Sequence, residues 1–251
     1  MINNLFSYLF PKKIAEIKDG NSTLFIIEKG DYKIFKYNDI VYSEINKNSV
    51  YTRQYWDYFI PAAYIQKNPR ILLIGLGGGT IAYELDCLLK NDMHLEIVEA
   101  NEKIADIAGM LIPGGIKEKV NVEKGEEFIK TKKNAYDAIF LDAYVENKIP
   151  AVFLNEDFVD NAYGALSESG ILAINFAVGM MGADSFYAYA AKLGKRFKVY
   201  GAKTAMNEGN VIMICSKRLA KEEISARIRQ NMQENKDNKN LIQSYEQMKE
   251  V

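Results

Sequence analysis

The sequence predicts an α/β fold in which a doubly wound, mainly parallel sheet follows a small N-terminal β-meander. From residue 70 onward, short apolar runs alternate with segments of helical periodicity, which is typical of right-handed βαβ units. The first of these runs, residues 71–74, stops at a group of glycines, as a strand buried on both faces often does. Before residue 66, β-forming runs are separated by turn residues instead. Three segments are predicted, a meander with a linking helix, an α/β domain and a charged tail, at residues 1–66, 67–218 and 219–251.

The composition is that of an ordinary globular protein, and it argues against several classes of function. Hydrophobic residues make up 48% of the 251 residues and charged residues 26%. A chain of this length can bury about 70% of its unfolded surface, so its core needs no disulfide or metal ion. The net charge of -1 is unlike the basic footprint of a nucleic-acid-binding protein, and no segment reaches the ~20 apolar residues of a membrane span. We therefore predict neither a nucleic-acid nor a membrane partner.

Histidine and cysteine are too scarce for most metal and nucleophile chemistry. A structural zinc site usually has four Cys or His ligands, whereas this chain has one histidine and two cysteines. We expect no metal site, and Ser-His-Asp or Cys-His catalysis would have to use His94. Cys87 and Cys215 follow no motif spacing, which indicates a reducing compartment. Because residues 1–13 lack the pattern of a secretory signal, we predict a cytoplasmic protein.

The N-terminal meander is predicted from β-forming runs and the turns between them. Residues 23–27 and 32–37 are separated by a Gly-Asp pair that reads as a hairpin turn. An Asn-Asp turn then leads into a third strand at residues 40–45. A helix over residues 51–66 is expected to follow, bent or split by Pro61.

The elements of the α/β domain follow from the alternation of apolar runs and helical periodicity. Strands are predicted at residues 71–74, 94–100, 120–123, 136–141 and 171–176, and helices at residues 80–90, 102–110, 126–132, 156–166 and 185–193, with a loop at 113–115. A late strand pair, residues 197–200 and 211–215, is expected to close the sheet. In the charged tail, Ile224, Ile228 and Met232 share a helical face. We interpret the remainder as a solvated break at residues 235–240 and a frayed end.

Four glycines, Gly75, Gly77, Gly78 and Gly79, lie between the first apolar strand and the helix after it. Glycine lets the backbone turn tightly and approach a ligand, and a helix N-terminus offers free N–H groups. The dinucleotide fingerprint would place another glycine where Thr80 stands, and a Walker A loop would need Gly-Lys-Ser/Thr. A ligand-free turn between strand and helix could use the same glycines. With the acids described next, the spacing favours an S-adenosyl donor over a nicotinamide cofactor.

Three acids follow strands at the same predicted edge of the sheet. Glu99 ends the second strand, twenty residues after Gly79, where a carboxylate can accept hydrogen bonds from both ribose hydroxyls. Glu126 follows the third strand and could reach an adenine edge, although an acid there also suits a helix N-terminus. Asp142 leaves the buried fourth strand, where it could hold an amine or a sulfonium ligand by charge, or simply form a turn. Residues 145–150 are a candidate lid.

These motifs resemble those of the spermidine synthases, the polyamine aminopropyltransferases. The glycine loop, Glu99, the Gly125-Glu126 pair and Asp142 carry the resemblance, which extends over roughly residues 20–216. It implies a Rossmann-like, S-adenosylmethionine-dependent methyltransferase-type sheet behind the meander. It also implies decarboxylated S-adenosylmethionine as co-substrate, putrescine or a similar polyamine as acceptor, and a homodimer. No prosthetic group is implied.

Individual positions match that family unevenly. The resemblance makes Glu99 the ribose-binding acid, puts Glu126 where the family has an adenine-contacting Asp, and makes Asp142 the first aspartate of an Asp-Ser-Ser-Asp loop. Gln54 falls at the middle of a Tyr-His/Gln-Glu triplet. The departures are Val145 for the second loop aspartate, Gly78 for the acid of the glycine loop, Arg53 and Tyr55 for the outer triplet residues, and Tyr42 for a donor-side Gln.

The resulting candidate site has a donor side and an acceptor side. The donor-binding candidates are Gly75, Gly77, Gly78, Gly79, Glu99, Glu126 and Gln54. The catalytic candidates are Asp142 and Tyr144, with further acceptor contacts proposed at Tyr51, Gln54, Trp56, Asp57 and Glu146.

Three functions fit this site. The first is transfer of an aminopropyl group from decarboxylated S-adenosylmethionine to a polyamine such as putrescine. The second is a methyltransferase that uses S-adenosylmethionine itself, since Gly78 removes a negative charge near the donor's tail. The third is a non-catalytic nucleoside-binding homologue, because Val145 replaces an expected carboxylate.

Overall fold

The computed structural model describes residues 9–112, 119–145, 147–204 and 209–251, which form two β-sheets with surrounding helices. The N-terminal sheet is an antiparallel meander of four strands in chain order. These strands are β1 (Lys12–Asp19), β2 (Ser22–Lys29), β3 (Tyr32–Tyr37) and β4 (Ile40–Asn46). The sequence analysis missed β1 because its alternating charged residues contain no apolar run, and most of its side chains are exposed.

The second sheet has eight strands and confirms the predicted doubly wound α/β architecture. Its order is β12-β10-β11-β9-β8-β5-β6-β7. Its strands are β5 (Arg70–Ile74), β6 (His94–Glu99), β7 (Val120–Val122), β8 (Tyr136–Leu141), β9 (Leu166–Ala177), β10 (Lys198–Lys203), β11 (Asn210–Ser216) and β12 (Lys249–Glu250). Strands β5 to β9 are parallel, whereas β10, β11 and β12 run antiparallel to their neighbours. The sheet is therefore mixed, and the predicted late strand pair is its antiparallel portion.

Helices cover both faces of this sheet. They are α1 (Ile60–Ala63), α2 (Thr80–Leu89), α3 (Glu102–Leu111), α4 (Gly125–Phe128), α5 (Glu156–Ala165), α6 (Val178–Met181), α7 (Ala183–Leu193), α8 (Lys221–Asn231) and α9 (Lys239–Glu246). Along β5, Ile71 and Leu73 join one apolar core, and Leu72 and Ile74 join the core on the opposite face. This alternation is the two-residue period of a strand that is buried on both sides.

The meander lies against the start of the α/β domain. Its inward side chains, including Leu24, Ile26 and Phe35, are buried and join the core that contains α3. At the meander's edge the Asp19 carboxylate accepts from Asn101 Nδ2 at 2.8 Å and pairs with Lys103 Nζ at 3.0 Å. The meander therefore covers the carboxyl ends of β5 and β6.

The predicted helix over residues 51–66 is mostly wrong. The structure has a 3₁₀ helix, Tyr55–Phe59, followed by the single turn of α1. The buried Asp57 carboxylate accepts the backbone N–H groups of Thr52 and Arg53 at 3.0 and 2.7 Å, which holds the preceding residues in a non-helical turn. Pro61 lies in the first turn of α1, where a missing N–H costs nothing, so it begins a helix rather than bending one.

The tail also differs from the prediction of a solvated break and a frayed end. Helix α8 forms as expected, but α9 and β12 follow, and β12 pairs with β10. The side chains of Leu241, Tyr245 and Met248 are buried, and Tyr245 Oη donates to the Tyr58 carbonyl at 2.8 Å. The predicted break is anchored where Tyr51 Oη donates to Asn238 Oδ1 at 2.7 Å. The high charge of this segment concealed an apolar stripe at helical spacing.

The structure bears on two further predictions, a loop at residues 113–115 and the absence of a membrane span. The predicted loop at residues 113–115 lies outside the described residues. Within the ranges that the structure describes, no helix is long and apolar enough to cross a membrane.

Candidate active site

A cleft of about 330 Å³ opens at the carboxyl ends of the parallel strands, beneath β4 of the meander. Its walls come from the ends of β5, β6, β8 and β9, the start of β11, the start of α4, and β4. Ligands of open α/β sheets bind at this edge, where the strands end and the loops diverge. We therefore compare the residues predicted for the donor and acceptor sides with the residues that line this cleft.

The glycine loop forms the floor of the cleft, and its backbone conformation requires glycine. Gly75, Gly77 and Gly79 have φ values of 87°, 54° and 89°, in the left-handed region that side chains disfavour. A Cβ atom at Gly75 would lie 2.5 Å from the carbonyl oxygen of Asp142, and one at Gly77 would lie 2.8 Å from that of Tyr42. The loop is therefore held between β8 and β4.

Gly78 faces away from the cleft and towards the meander. A Cβ atom there would lie 2.5 Å from Cβ of Ser43 and 2.9 Å from Cδ2 of Leu111. The Ser43 hydroxyl in turn accepts the Thr80 backbone N–H at 3.1 Å, at the start of α2. The absence of an acid at position 78 thus accompanies close packing between the loop and β4, and Gly78 is not part of the cleft wall.

Glu99 lies at the cleft wall at the end of β6, with 9% of its surface exposed. Its Oε2 accepts the Leu76 N–H, and its Oε1 accepts the Asn101 N–H, both at 2.9 Å. Burial raises the pKa of this carboxyl, while the backbone N–H groups oppose the rise. The backbone N–H groups of Gly77 and Ala100 also act on this carboxylate, so donors from the glycine loop and from the residues after β6 hold it in place.

Glu126 also lines the cleft, in the first turn of α4, beside Lys124. Gly125 before it packs against Ile74 of β5, so the turn lies close to the sheet and its acid is brought to the cleft. Glu99 and Glu126 therefore both line the cleft, and Lys124 is a basic neighbour that the sequence analysis did not identify.

Asp142 follows β8 and lies beside the glycine loop. Its Oδ1 accepts from Asn175 Nδ2 at 2.9 Å, and its Oδ2 accepts from Tyr55 Oη at 3.3 Å. Burial raises the pKa of Asp142 to about 6, and hydrogen bonds from Asn175, Tyr55 and Trp56 limit the rise. A carboxyl group with this pKa can exchange protons near neutral pH.

Tyr144 contributes its ring to the same wall, but its hydroxyl is engaged. The hydroxyl donates to the Asn175 carbonyl at 2.9 Å and accepts the Ala177 N–H at 3.0 Å. Burial raises the pKa of Tyr144, so the hydroxyl remains protonated. These contacts fix the ring against β9.

The other acceptor-side candidates are dispersed. Gln54 is not part of the cleft wall, because the chain turns at that point and the neighbouring Tyr55 reaches the cleft instead. Asp57 is used to cap the turn before the 3₁₀ helix, and Tyr51 contacts the tail. Trp56 is buried next to Asp142, and Glu146 lies outside the described residues. The predicted lid contributes Val145, Asn147 and Pro150 to the wall.

Two asparagines on the acceptor side were missed by the sequence analysis. Asn175 is 2% exposed, and its Oδ1 accepts from Asn210 Nδ2 at 2.7 Å. An asparagine inside the apolar run of β9 is a buried polar group that needs a partner, and this signal was available in the sequence. Asn210 has no such signal. In the described part of the chain, no group of three or more His, Cys, Asp or Glu side chains could hold a metal ion.

Comparison with known proteins agrees with this geometry. The chain matches no protein-family model. The polyamine aminopropyltransferase of Vibrio vulnificus is 28% identical over 154 residues, covering 59% of this chain and 50% of the relative. That of Clostridium botulinum strain Eklund 17B is 31% identical over 139 residues, covering 53% of this chain and 46% of the relative. The chain thus spans about half the length of the curated relatives it matches.

Solved structures share the fold across most of the chain. Spermidine synthase from Thermotoga maritima superposes with a TM-score of 0.69 at 18% identity, covering 93% of this chain and 84% of that one. A spermidine synthase in complex with the transition state analogue AdoDATO has the same score. Human methyltransferase-like protein 13 in complex with SAH has a TM-score of 0.60 at 16% identity, covering 78% of this chain and 94% of that one. The chain is therefore similar in sequence to polyamine aminopropyltransferases over about half of their length, and it shares the fold of the spermidine synthases.

Proposed function

We propose that this chain transfers an aminopropyl group from decarboxylated S-adenosylmethionine to a polyamine such as putrescine. The observation that carries the proposal is the cleft itself, in which Glu99 accepts a backbone N–H of the glycine loop and Asp142 packs beside Gly75. The curated relatives are named polyamine aminopropyltransferases, which supports this choice of reaction.

The reaction is a displacement at carbon. The lone pair of the acceptor amine forms a bond to the first carbon of the aminopropyl group, the carbon–sulfur bond breaks, and its electron pair remains on sulfur. The new secondary ammonium group then loses one proton and becomes the secondary amine. Because the sulfonium is already activated, the protein contributes mainly alignment, which can supply ~7–11 kcal/mol.

The residues of the cleft divide this work. Glu99 and Glu126 both line the cleft, and we assign Glu99 to the ribose hydroxyls and Glu126 to the adenine. Asp142 orients the amine and receives its proton, a role suited to a carboxyl whose pKa is about 6. The rings of Tyr55 and Tyr144 line the wall beside it and exclude water.

Transfer of a methyl group from S-adenosylmethionine itself is the competing function. The sequence argument for it was the absence of an acid at Gly78, but this residue packs against Ser43 and Leu111 and does not line the cleft. The curated relatives favour aminopropyl transfer over this alternative.

The test compares the two donors in binding and in turnover. We expect titration calorimetry to show tighter binding of the decarboxylated donor, and mass spectrometry to show alkylated putrescine together with methylthioadenosine. Tighter binding of intact S-adenosylmethionine with methylation of an amine would establish the competing function. Donor binding without transfer to any amine of a polyamine panel would identify a non-catalytic homologue and refute the proposal.

A further inference from the structure

A chain of two side-chain amides connects the start of β11 to the carboxylate of Asp142. Asn210 Nδ2 donates to Asn175 Oδ1 at 2.7 Å, and Asn175 Nδ2 donates to Asp142 Oδ1 at 2.9 Å. All three residues line the cleft, and Asn175 is almost completely buried. A buried amide that is paired on both sides is held in one orientation, because turning it over would break both hydrogen bonds.

The donor-to-acceptor direction of these two amide hydrogen bonds depends on the charge of Asp142. With an ionised carboxylate, Asn175 must present its NH₂ group to Asp142, and its carbonyl oxygen then needs the donor that Asn210 supplies. With a protonated carboxyl the reverse direction is possible, since the acid O–H could donate to Asn175 Oδ1. The observed direction, with Asn210 donating to Asn175 and Asn175 donating to Asp142, is the one that suits an ionised Asp142.

The same contacts distinguish the two carboxylate oxygens. Oδ1 is occupied by the buried Asn175 amide at 2.9 Å, whereas Oδ2 has a longer contact of 3.3 Å to the hydroxyl of Tyr55. Asn175 also fixes Tyr144 through its backbone carbonyl. One asparagine thus sets the positions of both catalytic candidates.

We propose that Asn175 and Asn210 are positioning residues that orient Asp142 through this amide chain, so that Oδ2 is the oxygen presented to the acceptor amine. The inference rests on the proposed function for the identity of that amine. The orientation of Asp142 does not itself depend on the proposed function, because the two amide hydrogen bonds hold this carboxylate whether or not a substrate is bound.

The titratable groups that the described structure places against Asp142 are Tyr55 and Tyr144. Burial raises the pKa of both phenols above their ordinary range, so both stay protonated where Asp142 titrates. A change in the titration of Asp142 after a substitution at Asn210 therefore reports on the amide chain and not on these neighbours.

The test uses Asn210→Asp to reverse the direction of the two amide hydrogen bonds. The introduced carboxylate cannot donate, so the Asn175 NH₂ group turns towards it and the carbonyl turns towards Asp142. We expect the pKa of Asp142 to rise by about one unit or more, as for a like charge nearby. The measurement is ¹³C NMR of aspartate-labelled protein, with the Asp142 resonance assigned by its loss in Asp142→Asn.

Two further variants separate the amide chain from charge and from folding. Asn210→Leu removes the donor without adding charge, and we expect a smaller rise in the same pKa. Asn48→Asp adds the same charge at an exposed turn and should leave the Asp142 titration unchanged. In activity measurements, both Asn210 variants should shift the acidic limb of kcat to higher pH and leave the KM for the donor within about twofold, because the donor-side acid Glu99 is untouched.

The outcomes of the two readouts are distinct. An Asp142 pKa that Asn210→Leu leaves unchanged would overturn the inference, because the added charge of Asn210→Asp raises this pKa with or without the amide hydrogen bonds. An equal change in Asn48→Asp would overturn it too. If the wild-type protein transfers no aminopropyl group, the proposed function fails, and the pKa comparison alone then decides whether the amide chain orients Asp142.

Discussion

Replacing Asp142 by asparagine should make the protein less active and more stable at neutral pH. The substitution keeps the size of the side chain; its amide oxygen can still accept from Asn175, and its NH₂ group can donate to the Tyr55 hydroxyl. It removes a partly buried negative charge that the fold disfavours, and it removes the group that receives the amine proton. We expect kcat to fall by about 10²- to 10⁴-fold, the usual contribution of a general base.

The size of the stability change follows from the pKa of Asp142. Burial raises that pKa from 3.8 to about 6, so the folded protein holds the proton more tightly than the unfolded chain does. The stability contributed by protonation is complete below the unfolded pKa and is lost as pH rises through the folded one. A rise of about two units at ~1.36 kcal/mol per unit corresponds to ~3 kcal/mol as an upper value.

The assay is urea denaturation of wild type and Asp142→Asn at two pH values. At pH 7.5 we expect the variant to have the larger free energy of unfolding, by up to ~3 kcal/mol, and at pH 4 we expect the difference to shrink towards zero. Asp92→Asn, at an exposed turn, is the control for removal of one charge. A variant less stable than wild type at pH 7.5, or a difference that does not change with pH, would refute the reasoning.

The remaining predictions concern the glycine loop, the donor-side acid, the tail and assembly. Gly77→Ala should lower the free energy of unfolding by ~1–3 kcal/mol and weaken donor binding, because φ is positive there and the added Cβ would lie 2.8 Å from a backbone carbonyl of β4. The control Gly20→Ala is also at positive φ but has open space around it, so it should lower the free energy of unfolding less and leave donor binding unchanged. Glu99→Gln should weaken donor binding by about 10- to 100-fold in calorimetry, since it loses charge-assisted hydrogen bonds. Tyr245→Phe should destabilise the fold by ~1–3 kcal/mol by leaving a buried carbonyl of the 3₁₀ helix without its donor, whereas Tyr187→Phe, which is 63% exposed, should have no measurable effect. The homodimer stays a prediction, and light scattering would support it by giving twice the chain mass of 28.5 kDa.

The donor side of the cleft could be predicted from sequence because its parts follow directly from local rules. An apolar strand that ends at glycines predicts a tight loop, and an acid at the end of the next strand must lie at the same sheet edge. Gly75, Gly77, Glu99 and Glu126 accordingly line the cleft, whereas Gly78 packs against β4 and Gly79 packs against Ile112. The sequence shows a missing acid at that position but not the close neighbour that takes its space.

The acceptor side depended on contacts between residues far apart in the chain. Tyr55 reaches Asp142 across 87 positions, and Asn175 does so across 33. No local pattern encodes these distances, and the predicted helix over residues 51–66 would have placed Tyr55 differently. The position of Tyr55 is set by the turn that Asp57 caps. This turn forms because the buried backbone N–H groups of Thr52 and Arg53 need hydrogen-bond acceptors, which the Asp57 carboxylate supplies.

By itself the sequence determined the α/β architecture, the edge of the sheet at which the candidate site lies, and the positions of Glu99 and Glu126 at that edge. These follow from strand and helix periodicity and from the common direction of parallel strands. Only the tertiary structure decided how Asp142 is oriented, which tyrosine contacts it, and that the charged tail packs against the 3₁₀ helix. Each of these depends on desolvation and on hydrogen bonds between distant segments, which exist only once the chain has folded.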